Sequence, residues 1–371
     1  MQSKDHYDDD ASREGSPRIL PPKPKGRGAA INTPNRYEHV HVEPDAFEPG
    51  DENFRDREPT QYFHDTTKTL LASNDSPDVG FIYSINPYRG CEHGCIYCYA
   101  RPSHEYLGFS AGVDFETRIL VKHDAPERLE EELRKKSWVP QLIALSGNTD
   151  CYQPVERKLE ITRRCLEVLL KFRNPVTIIT KNHLVTRDVD ILSELAALDL
   201  VHVTMSITSL KHELTATMEP RTSQPELRLK ALETLNRNNI PCGVSVAPLI
   251  PGLNDEEIHA ILDAASKHGA KWAGYIMVRL PHAVKPLFLE WLHRHFPDRV
   301  KKVQSRLRAV HNGKLSDPRF DSRMRGEGEV ANLISDFFAI SQRRCGLGDR
   351  HYELDTTRFR RHGHQQLELF T

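Results

Sequence analysis

Up to about Pro59 the chain shows hardly any apolar periodicity; PPKPKGRG and EPDAFEPGDENFRDREP interleave proline, glycine and charge. Such a stretch buries too little surface to offset its ordering entropy, and residues 1–59 are expected to be mostly disordered. From about Ser76 short apolar runs take over. Six of them, at 80–86, 141–146, 176–180, 201–207, 243–247 and 272–278, read as β-strands. Between them, 124–136, 160–172, 188–198, 225–238 and 254–267 carry helical spacing. Asn254 with Glu257 three residues on predicts a capping box, and Asp124 ahead of Ala-Pro-Glu places Pro126 in a first turn, where its missing N–H does no harm.

Alternating strands and helices predict βα units on a parallel sheet, and six are too few to close an eight-stranded barrel. The fold class is therefore α/β, with a partial (β/α)6 barrel over 60–285. Helical patterns at 284–296, 300–310 and 329–342 suit a C-terminal extension, 286–358, packed on the barrel's flank, followed by a flexible tail, 359–371. In such a fold ligands bind at the carboxyl ends of the strands, so the residues just after each apolar run become the candidates.

Composition narrows this. With 38% hydrophobic residues among 371, no stretch approaches the roughly 20 apolar residues of a membrane span. The opening MQSKDHYDDDASREG has no apolar signal region, and a cytoplasmic location is expected. The net charge is −1, yet from Arg299 onward 15 Lys/Arg stand against 9 Asp/Glu, leaving that end at +6 and the rest at −7. A polyanion would sit at the basic end.

Seven cysteines are present, an odd number, and three crowd into Asn86-Pro-Tyr-Arg-Gly-Cys-Glu-His-Gly-Cys-Ile-Tyr-Cys-Tyr-Ala-Arg, directly after the first strand. Cys91, Cys95 and Cys98 form CxxxCxxC on a glycine-bearing loop. A cubane iron–sulfur cluster has four irons, so three cysteines leave one iron free for an exogenous ligand. Zinc is the alternative, recruiting His93 or His104 to complete four ligands.

At these residues the sequence resembles the radical S-adenosylmethionine (SAM) superfamily. Ser76-Pro-Asp-Val-Gly, NPYRGCEHGCIYCYARP, SGNTDCYQPVE, Glu219-Pro-Arg221 and APLIPGLND look like its spore photoproduct lyase and DNA repair photolyase-related branch, and above all like an uncharacterised bacterial family within it, from about Arg27 to Leu347. The resemblance implies a [4Fe-4S] cluster on the three cysteines with SAM on the fourth iron, and an electron donor such as flavodoxin or ferredoxin. It also implies cofactor contacts: Asn148, Thr149 and Asp150 for the amino group, Lys181 for the carboxylate, Ser206 for the ribose and Tyr97 beside the adenine.

The remaining candidates concern the substrate. Arg221 and Arg279 each suit bidentate contact with a carboxylate or phosphate, the alternative being an internal salt bridge. Cys165 and Cys242 lie at apolar positions and read as small core residues. Cys151, beside the presumed cofactor loop, is the candidate hydrogen-atom donor, although the lyase's own cysteine aligns with Gly147; Tyr99 or Tyr152 would relay a hydrogen instead. Gln366-Leu-Glu-Leu-Phe370 resembles the pentapeptide that docks bacterial repair proteins on the sliding clamp, the alternative being a tail folded onto its own barrel. Two functions result: a radical enzyme acting on a substrate such as a nucleic-acid base, or a zinc- or cluster-bearing nucleic-acid-binding module without turnover.

Overall fold

The computed structural model describes residues 24–37, 59–67, 69–348 and 353–361. Six parallel strands follow one another in space as in sequence: β1 (Tyr83–Ile85), β2 (Ile143–Leu145), β3 (Val176–Thr180), β4 (Val201–Ser206), β5 (Cys242–Leu249) and β6 (Ala273–Met277). A short strand, Leu71–Ser73, pairs antiparallel with β1 and ends the sheet on that side, opposite β6. The sheet is therefore an open, partial barrel. Each residue of β4 is buried, as a strand covered on both faces must be: Val203 and Met205 join the apolar core, and Thr204 and Ser206 alternate with them.

Helices α1 (Ala125–Arg134), α2 (Ile161–Phe172), α3 (Val189–Ala196), α4 (Pro225–Arg237) and α5 (Ile258–Lys267) connect successive strands from β2 on, or lead into them. Pro126 occupies the first turn of α1 as expected. The capping box does not form. The Asn254 side chain accepts from Ile250 N (2.7 Å) and donates to the Thr208 and Pro248 carbonyls (2.7 and 3.0 Å), while the Glu257 carboxylate accepts from Ser209 Oγ and Leu210 N. Buried loop groups at the barrel mouth need these partners more than the helix end does.

The C-terminal extension supplies α6 (Val284–His295), α7 (Val300–Val310) and α8 (Glu329–Arg344). Phe288, Trp291, Val303 and Leu307 share an apolar cluster with Ile96 and Tyr97, so α6 and α7 sit behind the cysteine loop; α8 packs through Phe338 on Tyr275 of β6. Within the segment expected to be mostly disordered, residues 24–37 are folded: Arg27, Ala29 and Asn35 are buried by polar and apolar contacts that periodicity does not register. Gln366 to Phe370 lie outside the described residues. Among those described, no helix is long and apolar enough to cross a membrane.

Candidate cluster and cofactor site

The cysteine loop leaves the small strand Tyr88–Arg89 and enters the 3-10 helix Arg101–Leu107. Backbone bonds fix it at both walls, Cys91 N to Phe115 O (2.9 Å) and Ile96 N to Met218 O (2.9 Å). Gly94 has φ +67°, and a Cβ there would stand 2.6 Å from Glu116 Oε2, so only glycine fits. Arg101 is fully buried and knits the interior. Its guanidinium donates to the carbonyls of Cys95 (3.0 Å), Ala111 (3.0 Å) and Gly112 (2.8 Å) and pairs with Glu116 at 2.6 Å.

All three thiols are free. Burial pushes Cys95 up to about 12, with the Lys181 ammonium pulling against it, and burial together with Cys95 pushes Cys91 well above the usual thiol value. Thiols kept neutral by burial become ligands where a metal supplies compensating positive charge, which makes this donor set fit an iron–sulfur cluster. Among the described residues no three His, Cys, Asp or Glu side chains gather closely enough for a single metal ion. His93, one zinc candidate, has Nδ1 3.4 Å from Asp150 Oδ2 and Nε2 3.3 Å from Asn182 Nδ2. His104 lies against Phe109 and Phe115, and burial lowers it to about 4.

Around the loop, strand ends bring the cofactor candidates together unevenly. Lys181, just after β3, places Nζ 5.8 Å from the Tyr97 ring centroid. Tyr97 donates its hydroxyl to Glu219, whose other oxygen accepts from Thr208 (2.7 Å) and Arg228 (2.5 Å). Arg228 is itself fully buried and binds the Ser206 carbonyl at 3.0 Å, tying the last residue of β4 into the same network. Glu219 is the site residue that sequence reasoning passed over; the signal was present in Glu-Pro-Arg, read there for its arginine.

In the loop after β2, the Asn148 side chain is exposed, while Thr149 Oγ1 is committed to the Tyr88 carbonyl at 2.6 Å. Asp150 accepts from Tyr152 N (2.9 Å), Thr180 Oγ1 (2.8 Å) and Lys181 N (2.8 Å), so it joins the ends of β2 and β3.

Of the substrate candidates, Arg221 takes the internal salt bridge of its two readings, and Cys151 and Tyr152 turn away from the mouth. Arg221 pairs with the buried Glu92 at 3.1 Å and donates its backbone N–H to His93 O, so it braces the cysteine loop. Cys151 is wholly enclosed in the main apolar core with Cys165 and Tyr152, because the chain turns into the helical layer directly after Asp150; a hydrogen donor needs an open face. Tyr152 is buried with its hydroxyl on Asp188 at 3.0 Å, which leaves no relay through it. Tyr99 does reach the mouth. It is 44% exposed, its hydroxyl donates to Gly147 O at 2.5 Å, and the Arg279 guanidinium stands 4.5 Å above its ring. Cys165 and Cys242 are core residues, as expected.

An open α/β barrel with a three-cysteine loop at the carboxyl ends of its strands defines a class of metal-dependent α/β enzymes. The chain belongs to the radical SAM superfamily, whose family model matches residues 85–265. An uncharacterized protein of Mycobacterium tuberculosis is 33% identical over 259 residues, 69% of this chain and 75% of the relative. An uncharacterized protein of Methanocaldococcus jannaschii is 32% identical over 178 residues, 48% of this chain and 64% of the relative. Among solved structures, spore photoproduct lyase complexed with dinucleoside spore photoproduct matches 79% of this chain and 82% of its own, with TM-score 0.56 and 15% identity, a likeness of fold. A variant of that lyase with AdoMet and the dinucleoside bound gives a TM-score of 0.55 at 15% identity. The protein is a radical SAM enzyme, and the superfamily's cofactors are a [4Fe-4S] cluster and SAM.

Proposed function

We propose that Cys91, Cys95 and Cys98 hold three irons of a [4Fe-4S] cluster and that the protein abstracts hydrogen from a nucleic-acid base or a closely related target. The chemistry such a cluster supplies with SAM is one-electron cleavage to methionine and a 5′-deoxyadenosyl radical, which takes a hydrogen atom from the substrate. The observation that carries the reading is the convergence of three free thiols, Cys91 buried and Cys95 and Cys98 partly exposed, with the Lys181 ammonium and the Tyr97–Glu219–Arg228 network on one loop at the barrel mouth. Lys181 supplies a point charge suited to the cofactor carboxylate, Ser206 and Asn148 bring polar groups to the same rim, and the network holds the Tyr97 ring rigidly beside them.

Support for a nucleic-acid substrate comes from the fold likeness to a lyase solved with a dinucleoside spore photoproduct and from the basic C-terminal end. Arg279, partly buried over Tyr99, places a guanidinium at the mouth where a phosphate would approach. An electron donor such as flavodoxin or ferredoxin belongs to the same reading.

The test is anaerobic reconstitution with iron and sulfide. The protein should become brown and, once reduced with SAM present, release 5′-deoxyadenosine; Cys95→Ala should lose the colour and the cleavage together while keeping its fold by circular dichroism. Colourless protein carrying one zinc would overturn the reading.

A further inference from the structure

The folded piece of the N-terminal region, residues 24–37, lies outside the family match and touches the cysteine loop directly. Gly28 N and Ala29 N donate to the two oxygens of Glu116, each at 2.8 Å. That carboxylate is fully buried and also receives Arg101, the residue that binds the Cys95 carbonyl. Arg27 adds a bond to the Glu116 carbonyl at 2.8 Å. A Cβ on Gly28 would stand 1.7 Å from Gly94 O, so the backbone of this segment passes against the middle of the cysteine motif itself. Ala29, wholly buried, packs in the apolar cluster that contains Ile96 and Tyr97.

Two further anchors follow. Asn32 and Asp114 exchange a reciprocal pair of bonds at 2.9 and 3.0 Å, and the buried Asn35 donates to Glu105 O at 2.9 Å. These anchors fall on 105–116, the stretch that wraps the loop after the third cysteine. A buried carboxylate stripped of two of its donors costs more than the bonds themselves are worth, because the desolvated charge keeps its penalty. The segment and the Arg101–Glu116 pair therefore need one another, and together they form the outer wall of the loop.

We propose that residues 24–37 are a strap that fixes the geometry of the Cys91–Cys98 loop, so that retention of the metal depends on Arg27, Gly28 and Ala29. Glu116 is the positioning residue through which it acts. This rests on the reading of the loop as a cluster site.

The experiment uses the full chain in two forms. On the reconstituted protein, iron release to a ferrous chelator is timed under anaerobic conditions; on the metal-free protein, amide hydrogen exchange is followed at Gly94 and Ile96. Gly28→Val should speed both by about tenfold, the scale of losing a bond to a charged group. Gly80→Ala, at a glycine with open space around it, should match the parent in both. Should Gly28→Val fail to fold, Asn35→Ala removes one anchor and should speed both by about threefold. Release and exchange within twofold of the parent in the folded strap variants would overturn the proposal. A parent that takes up no iron would overturn the cluster reading, and the exchange measurement would still decide whether the strap fixes the loop.

Discussion

Asp150 is a residue whose pattern and whose position point to different roles. Its place in Asn-Thr-Asp after a strand suggests a cofactor contact, yet its oxygens are taken by Lys181 N, Thr180 and Tyr152 N, with the His93 ring at 3.4 Å. Burial alone would raise this carboxyl; the His93 ring and the backbone donors outweigh it and lower the carboxyl to about 2. Because this lies below the unfolded value of about 3.9, the stabilisation is complete above about pH 4 and is lost as pH falls toward 2. Asp150→Asn should therefore destabilise the protein by roughly 2 kcal/mol at pH 7 and flatten the stability profile between pH 4 and 2. Urea unfolding across that range checks it; a parent-like acid limb in the variant would refute the assignment. Glu219 makes the converse point. Its carboxylate stays below the usual range despite burial because Arg228 of α4 and Lys181 after β3 face it, a juxtaposition of helix and strand end that no local pattern contains.

Among the elements, β3 and α7 match their apolar runs residue for residue, since burial of a periodic face is a local property. The segment after α8 is different. Gly348 bridges Trp272 ahead of β6, Asp355 N donates to Asp199 O ahead of β4 (2.9 Å), Arg360 N to Phe172 O at the end of α2 (2.8 Å), and Arg361 to Trp138 O ahead of β2 (3.1 Å). It thus crosses beneath the amino ends of the strands, opposite the site, with Phe359 beside Phe172. The tail expected to begin at 359 is anchored for its first residues. Truncation after residue 348 should lower unfolding free energy by about 2 kcal/mol, through the missing backbone bonds and the missing Phe359 packing, while iron content after reconstitution stays at the parent level. Denaturant titration with iron analysis separates these, and a truncated chain that loses iron in proportion to stability would contradict the division between the two ends of the barrel.

For the whole molecule, residues 299–348 of the basic end are part of the body and not an appendage. Val303, Leu307, Val310 and Phe338 are buried in the cores, so removing everything after Arg299 would dismantle the fold before it tested any electrostatic role. Charge reversal is the cleaner experiment. Lys301, Lys302 and Arg306 are exposed on α7, and the last two border Gly252 in the loop after β5, on the side of the mouth. Changing all three to Glu should weaken binding to a DNA oligonucleotide and reduce the slope of log K against log salt by about 0.9 for each phosphate that the variant no longer neutralises. Binding unchanged across salt, or unchanged by the triple variant, would remove the electrostatic argument for a nucleic-acid substrate.

The chain's order of apolar runs determined the six βα units, because strand and helix each bury a face whose period is written locally. Three cysteines separated by three and two residues determined the thiol-bearing loop for a similar reason: residues so close in sequence cannot be far apart in space. What only tertiary structure decided is which polar groups remain available. Arg221 and Glu219 are two residues apart, yet one is drawn to Glu92 and the other to Tyr97; Cys151 follows Asp150 but turns into the core. Residues 24–37 carry no apolar period and still fold, because their stabilisation comes from a buried carboxylate and from backbone contact with Gly94. Those partners lie more than sixty residues away, and pairing at that distance is settled by packing of the whole barrel, not by the order of neighbours in the chain.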